Sequence, residues 1–263
     1  MTTRTIATAQ TIPVRGDVDA NLEEHVRLAL AAAKARARVL LFPELSLTGY
    51  ELDLAHTLAF SEEDMRLDAL RALAETIEMT LIVGAPARVG EKLHIGAFIL
   101  LPNGSVDLYT KQHLGAFPPE TNPGGAVPPA ENTVFNPGDR NPLVHFGGHT
   151  AAIAVCADTG RPAHAQAAAD RDAGCYLASM FFTPNELEEE TAKLQAYAAK
   201  HSVCVVLSNF GGRTGGLEAA GSSAIWAETG ELLAQLEPRG AGIAVATESE
   251  TGWRTHTTML GDR

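Results

Sequence analysis

Short, unbroken apolar runs are what most limit the folds open to this chain. Val39 to Phe42, Leu81 to Val83, Thr150 to Val155, Cys175 to Ser179 and Val203 to Ser208 are each a few residues long and rich in small or β-branched side chains. Such runs read as strands covered on both faces, which a sheet flanked by helices provides. Between them lie stretches with helical spacing: Leu22 to Arg38, Glu62 to Glu78 behind a capping-like Ser61 and Asp64, Ala163 to Asp172, and Glu186 to His201. Thr5 to Gln10 alternates small apolar and polar residues as a strand does. Ile95 to Leu101 and Ser105 to Thr110 flank Pro102-Asn103-Gly104, a strong hairpin signal. Ser222 to Trp226, Leu232 to Leu236 and Gly242 to Ala246 read as short antiparallel strands. The pattern predicts layered, mixed β sheets covered by helices.

At 263 residues, this is expected to be one domain over residues 1–263, without internal repeats. Lys and Arg number 20 against 32 Asp and Glu, a formal charge of 20 − 32 = −12. That sign argues against nucleic acid and anionic membrane as partners, and disfavours strongly anionic substrates. Three cysteines, none in a CxxC pair, predict neither a disulfide framework nor a zinc site. With no signal-peptide core and no long apolar run, a soluble cytoplasmic protein is expected, with no cofactor and no metal. Gly115 to Pro142 holds seven of the 14 prolines and reads as an ordered, functional loop.

Three unlike reactive groups fall at predicted strand ends: Glu44, Lys111 and Cys156. Taken singly, each has an ordinary reading as a turn carboxylate, a solvated amine and a buried thiol. Neighbouring strands would bring all three to one sheet edge. A thiol attacks a carbonyl or nitrile carbon as thiolate, so it needs a base and gains from a nearby cation. Glu44 can take the proton. Lys111 and the Ala157 N–H following the nucleophile can hold an oxyanion. Together they make an acyl-transfer site.

These segments resemble the nitrilase superfamily, the carbon–nitrogen hydrolases, and the resemblance runs over almost the whole chain. FPELSLTGY (42 to 50) is similar to the family's first motif, with Glu44 at its general base. YTKQHL (109 to 114) is similar to the second, with Lys111 at the catalytic lysine, and VCADTGRP (155 to 162) to the third, with Cys156 at the nucleophile. The order and separation of the three make the match specific. AENTVFNPGD places Glu131 where a supporting second glutamate stands, with Glu120 as its competitor. IATAQ, LQAYAAKHSVCVVLSNFGG and GSSAIWAETGELLA resemble further family segments. The chain departs from the pattern at Arg161, where an aromatic residue is usual, at His94-Ile95 and at Tyr197 to His201.

The resemblance implies a four-layer α-β-β-α sandwich, a homodimer or larger homo-oligomer, and hydrolysis of a small amide or carbamoyl compound through a Cys156 thioester. Nitrile hydrolysis, acyl transfer by the same thiol, and a noncatalytic scaffold role are the alternatives. Tyr50, Phe117, Met180 and Asn209 are candidates for the substrate wall, with core packing the competing reading for Met180. Asp158 reads as a cap for local backbone amides. Cys175 and Cys204 read as small core residues, and the acidic run Glu186 to Glu190 as a solvated helix start.

Overall fold

The computed structural model describes residues 3–261. In chain order its first elements are β1 (Thr5–Gln10), α1 (Val18–Lys34), β2 (Val39–Leu41), the single turn α2 (Ala55–Leu58), α3 (Asp68–Thr76), β3 (Thr80–Val89), β4 (Lys92–Leu100) and β5 (Val106–Thr110). Then come β6 (Leu143–Phe146), β7 (His149–Val155), α4 (Pro162–Ala169), β8 (Cys175–Ser179), α5 (Leu187–His201) and β9 (Cys204–Ser208). The last are β10 (Arg213–Thr214), β11 (Leu217–Glu218), β12 (Ala224–Trp226), β13 (Leu232–Gln235), β14 (Gly242–Ser249) and β15 (Gly252–Met259).

Period-two alternation sorts the central strands between two apolar layers. Ile6, Val39, Leu41 and Ile82 face one way, into a core shared with Ile153, Val155, Leu177 and Val206 of the second sheet. Ala7, Leu40, Leu81 and Val83 face the other way and pack with Leu28 and Ala32 of α1 and Leu70 and Ala74 of α3. The second sheet repeats this, with Tyr176, Ala178, Val205 and Leu207 meeting Ala165 of α4 and Leu194 and Tyr197 of α5. Three apolar layers separate four structural ones, so the architecture is the α-β-β-α sandwich. The first sheet runs β15-β14-β1-β2-β3-β4-β5 and the second β13-β12-β9-β8-β7-β6; both mix parallel and antiparallel neighbours.

Several boundaries differ from the sequence expectation for local reasons. Helix α1 starts at Val18 because the Asp17 carboxylate accepts from Ala20 N at 3.0 Å, and it stops at Lys34 before Arg36 turns to φ +61°. Asp64 caps a short 3-10 turn (Met65–Leu67), so α3 is shorter than the amphipathic pattern suggested. Strands β6 and β15 went unpredicted; β15 is largely exposed and dominated by Thr, His and Arg, so it carries no apolar alternation.

Small hydroxyl side chains join the sheets where their strands end. Thr8 Oγ1 donates to Leu207 O at 2.7 Å, Ser208 Oγ to Ala9 O at 2.6 Å, and Ser179 Oγ to Phe42 O at 2.9 Å. At this joined end the chain leaves β2 toward Glu44, β5 toward Lys111 and β7 toward Cys156. Among the described residues no helix is long and apolar enough to cross a membrane.

Candidate active site

Lys111 directly follows β5 and is wholly buried, a position an ammonium tolerates only when paired. Its Nζ lies 2.7 Å from Glu44 Oε1 and 2.7 Å from Glu131 Oε1. Both carboxylates are buried as well. Burial is the largest single influence and would depress the Lys111 pKa. The combined pull of its neighbours, Glu44 first and the Glu131 carboxylate with its hydrogen bond among them, outweighs it and holds the ammonium well above its ordinary value. Burial pushes Glu44 up to about 7, against the opposing pull of Lys111 and with a further push from Glu131. Its second oxygen, Oε2, is buried without a hydrogen-bond partner.

Glu131 is fixed from three sides. Besides Lys111, its Oε1 accepts from the Tyr50 hydroxyl at 2.8 Å and its Oε2 from Gly115 N at 2.7 Å. The proline-rich loop thus delivers one carboxylate to the lysine, and that carboxylate is Glu131; Glu120 stands exposed on the same loop.

Cys156 directly follows β7 at a sharp turn, with φ +45°, a conformation disfavoured for any residue with a Cβ. Thr159 holds the turn, its backbone N and its Oγ1 each donating to Cys156 O at 2.9 Å. The thiol is half-buried and donates to Phe181 O at 3.5 Å. Burial and the charge of Glu44 raise its pKa well above the ordinary value, so it rests protonated and needs a base to become a nucleophile.

Asp158 does more than cap its own turn. Its Oδ2 accepts from Val155 N at 3.1 Å and from the Tyr109 hydroxyl at 2.7 Å, while Oδ1 accepts from Gln112 N at 3.2 Å and His113 N at 2.8 Å. One buried carboxylate therefore ties the nucleophile's turn to the segment that carries Lys111. Nothing local to the third motif announces this, because the donors lie more than forty residues earlier in the chain.

Cys156 opens into a cavity of about 160 Å³ lined also by Tyr50, Phe117, Glu131, Ala157, Met180 and Phe181. Phe117 packs edge to face on both Tyr50 and Phe181, and the Tyr50 and Phe181 rings meet at a tilt. Of the proposed wall residues, Asn209 is not brought there. It is fully buried, its Nδ2 donating to Phe182 O at 3.3 Å and Gly221 O at 3.2 Å, so its amide braces the chain behind the wall. Gly160 lines the cavity, while Arg161 beside it is exposed. The acidic run also departs from expectation: Glu188 and Glu189 are exposed, but Glu186 and Glu190 line the cavity with Lys193. A larger open hollow of about 990 Å³ lies at the opposite strand ends, near Arg36, Arg38 and His145, remote from all three reactive groups.

Comparison with known proteins agrees with this fold. The carbon-nitrogen hydrolase family model matches residues 5–252. A mutant of the amidase from Nesterenkonia sp. AN1, showing covalent addition of the acetamide moiety of fluoroacetamide at its active-site cysteine, superposes with a TM-score of 0.80 at 26% identity, covering 93% of this chain and 90% of that one. Another mutant of that amidase, in complex with butyramide, matches with the same TM-score of 0.80, identity of 26% and coverage of 93% and 90%. The glutamine-dependent NAD(+) synthetase of Acinetobacter baylyi is 27% identical over 154 residues, 58% of this chain but only 27% of the synthetase. The chain belongs to the carbon–nitrogen hydrolase family, within the nitrilase superfamily, and is a hydrolase of that kind.

Proposed function

We propose that this chain hydrolyses small primary amides through a thioester on Cys156, with Glu44 as general base, Lys111 as oxyanion partner and Glu131 as the residue that positions Lys111. The observation that carries the reading is the buried Glu44–Lys111–Glu131 cluster, 2.7 Å on each side of the ammonium, behind a cavity into which the only half-buried thiol opens. Glu44 Oε2 has no hydrogen bond to give up, and a carboxylate with a pKa near neutrality is matched to taking a thiol proton. Attack by Sγ on the amide carbon develops negative charge on oxygen. Lys111 and the Ala157 N–H are the donors for it, and being fixed before the reaction they need no reorganisation during it. Ammonia leaves with a proton returned by Glu44, which then activates water to open the thioester.

Fluoroacetamide tests the nucleophile directly. Intact-mass measurement should show one acetamide moiety added to the wild-type protein and none to Cys156→Ala, and acetamide and butyramide should release ammonia with the wild type only. Addition at Cys175 or Cys204, or unchanged ammonia release from Cys156→Ala, would remove Cys156 from the mechanism. A thiol that is neither labelled nor acylated would favour a noncatalytic role.

A further inference from the structure

Helix α5 buries Leu194, Tyr197 and Ala198 on its inner face. Stepping back from Leu194 by helical spacing, that face continues through Glu190 to Glu186 at the start of the helix. These are positions where an amphipathic helix places apolar residues. Here they carry carboxylates, and both line the cavity into which Cys156 opens. The side chain of Glu190 is 17% exposed and that of Lys193 22%, whereas Glu188 and Glu189 face solvent. A preference for acidic residues near a helix N-terminus explains Glu188 and Glu189 equally well. Glu186 also closes a capping box with Thr183 at the turn that leads into the helix, but no helix-end role turns Glu190 toward a wall that includes Phe117, Phe181 and Met180.

The charges on this wall do not balance. Lys193 Nζ sits 2.6 Å from the Glu190 carboxylate. Glu186 Oε2 accepts only neutral donors, Thr183 N at 2.9 Å and Thr183 Oγ1 at 2.8 Å. Two carboxylates against one ammonium leave a net negative charge beside an apolar cavity, where a matching cation gains more than it would in water. The volume of about 160 Å³, at about 30 Å³ per water, holds about five water-sized groups. That is room for a short acyl chain.

We propose that this wall selects short primary amides whose acyl chain ends in an ammonium group, placed against Glu186 and Glu190 when the carbonyl carbon meets Cys156. The inference rests on the amidase reading of the same cavity. Sγ bonds to the acyl carbon as the C–N bond breaks and ammonia leaves, and water then releases the amino acid and restores the thiol. Overall, an ω-ammonio amide and water give a zwitterionic ω-amino acid and an ammonium ion. Lys193 orients Glu190 and repels a second cation, so its removal sharpens the preference.

The test compares ammonia release from 4-aminobutanamide, its neutral isostere pentanamide and the anionic succinamate. The wild-type kcat/KM for 4-aminobutanamide is expected to exceed that for pentanamide by about tenfold or more, the effect of one close charge pair out of bulk water. Glu190→Gln should lower this ratio and Lys193→Gln should raise it, opposite shifts that a simple loss of folding cannot produce. Pentanamide turnover with a ratio near one, a ratio that Glu190→Gln leaves alone, or a preference for succinamate overturns the inference while the amidase reading stands. Failure of every amide, with no label on Cys156, removes both.

Discussion

At the scale of single residues, the site turns on how burial redistributes protons. Glu44 in water would be ionised at any pH above the ordinary carboxylate range, yet burial holds its pKa near 7. Only the ionised form can take the thiol proton, so kcat/KM for an amide should fall as the pH drops through about 7. An unperturbed carboxylate would keep the rate flat to much lower pH. Glu44→Gln should remove this limb and cost about 10²- to 10⁴-fold in rate. A pH–rate profile that stays level for the wild type well below neutrality would exclude Glu44 as the base. The reactive residues were legible in the sequence because each ends a predicted strand inside a recognisable motif. The choice between Glu120 and Glu131 was not, since it depends on how an irregular loop of many prolines folds back onto Gly115 and Tyr50.

At the scale of elements, the chain holds its reactive groups by close backbone approach as much as by hydrogen bonds. Strand β3 passes directly beneath the turn that carries Glu44, and Gly84 is the residue at the crossing. A Cβ there would overlap Pro43 O and Leu45 N and lie 3.0 Å from the carbonyl carbon of Glu44. Backbone atoms cannot step aside as a flexible side chain can, so Gly84→Ala has to displace the Glu44 segment. It is expected to lower stability by about 1–3 kcal/mol and, because an offset of about 1 Å costs about 10²-fold, to lower activity far more than stability alone explains. Urea midpoints and ammonia-release rates on the same variant separate the two effects; an unchanged rate would show that the Glu44 segment tolerates the shift. The sequence hints at this only in a glycine placed directly after the strand-like run Leu81 to Val83, since a glycine in a strand often marks close approach of another backbone. The buried strands and the Asn-Gly hairpin were equally readable, because their signals are local. The edge strand β15 was not, since its pairing with β14 comes from backbone partners and not from an apolar pattern. The inward turn of Glu186 and Glu190 became visible only once the buried face of α5 was known.

At the scale of the whole molecule, the central apolar layer belongs to both sheets at once. Ile6, Leu41 and Ile82 from one sheet and Ile153, Leu177 and Val206 from the other form a single cluster, and hydroxyl side chains bind β1 to β9 across it. Separating the sheets would expose that layer on both sides and strip partners from Thr8 and Ser208, so neither sheet should persist without the other. This is the physical basis for expecting one folding unit across both halves. The two tryptophans allow a direct test because each reports on a different sheet. Trp226 lies in β12 of the second sheet, buried beneath the α4–α5 layer, and Trp253 lies in β15 of the first, with the Arg4 guanidinium 5.1 Å from its ring centroid. In Trp226→Phe only Trp253 remains, and in Trp253→Phe only Trp226. Within each variant, the urea transition followed by its remaining tryptophan should coincide with the loss of far-UV circular dichroism, as two-state unfolding requires. A fluorescence transition in Trp226→Phe that precedes the loss of secondary structure would show that the first sheet, or its β14–β15 edge, opens before the rest and that the shared layer does not couple the halves.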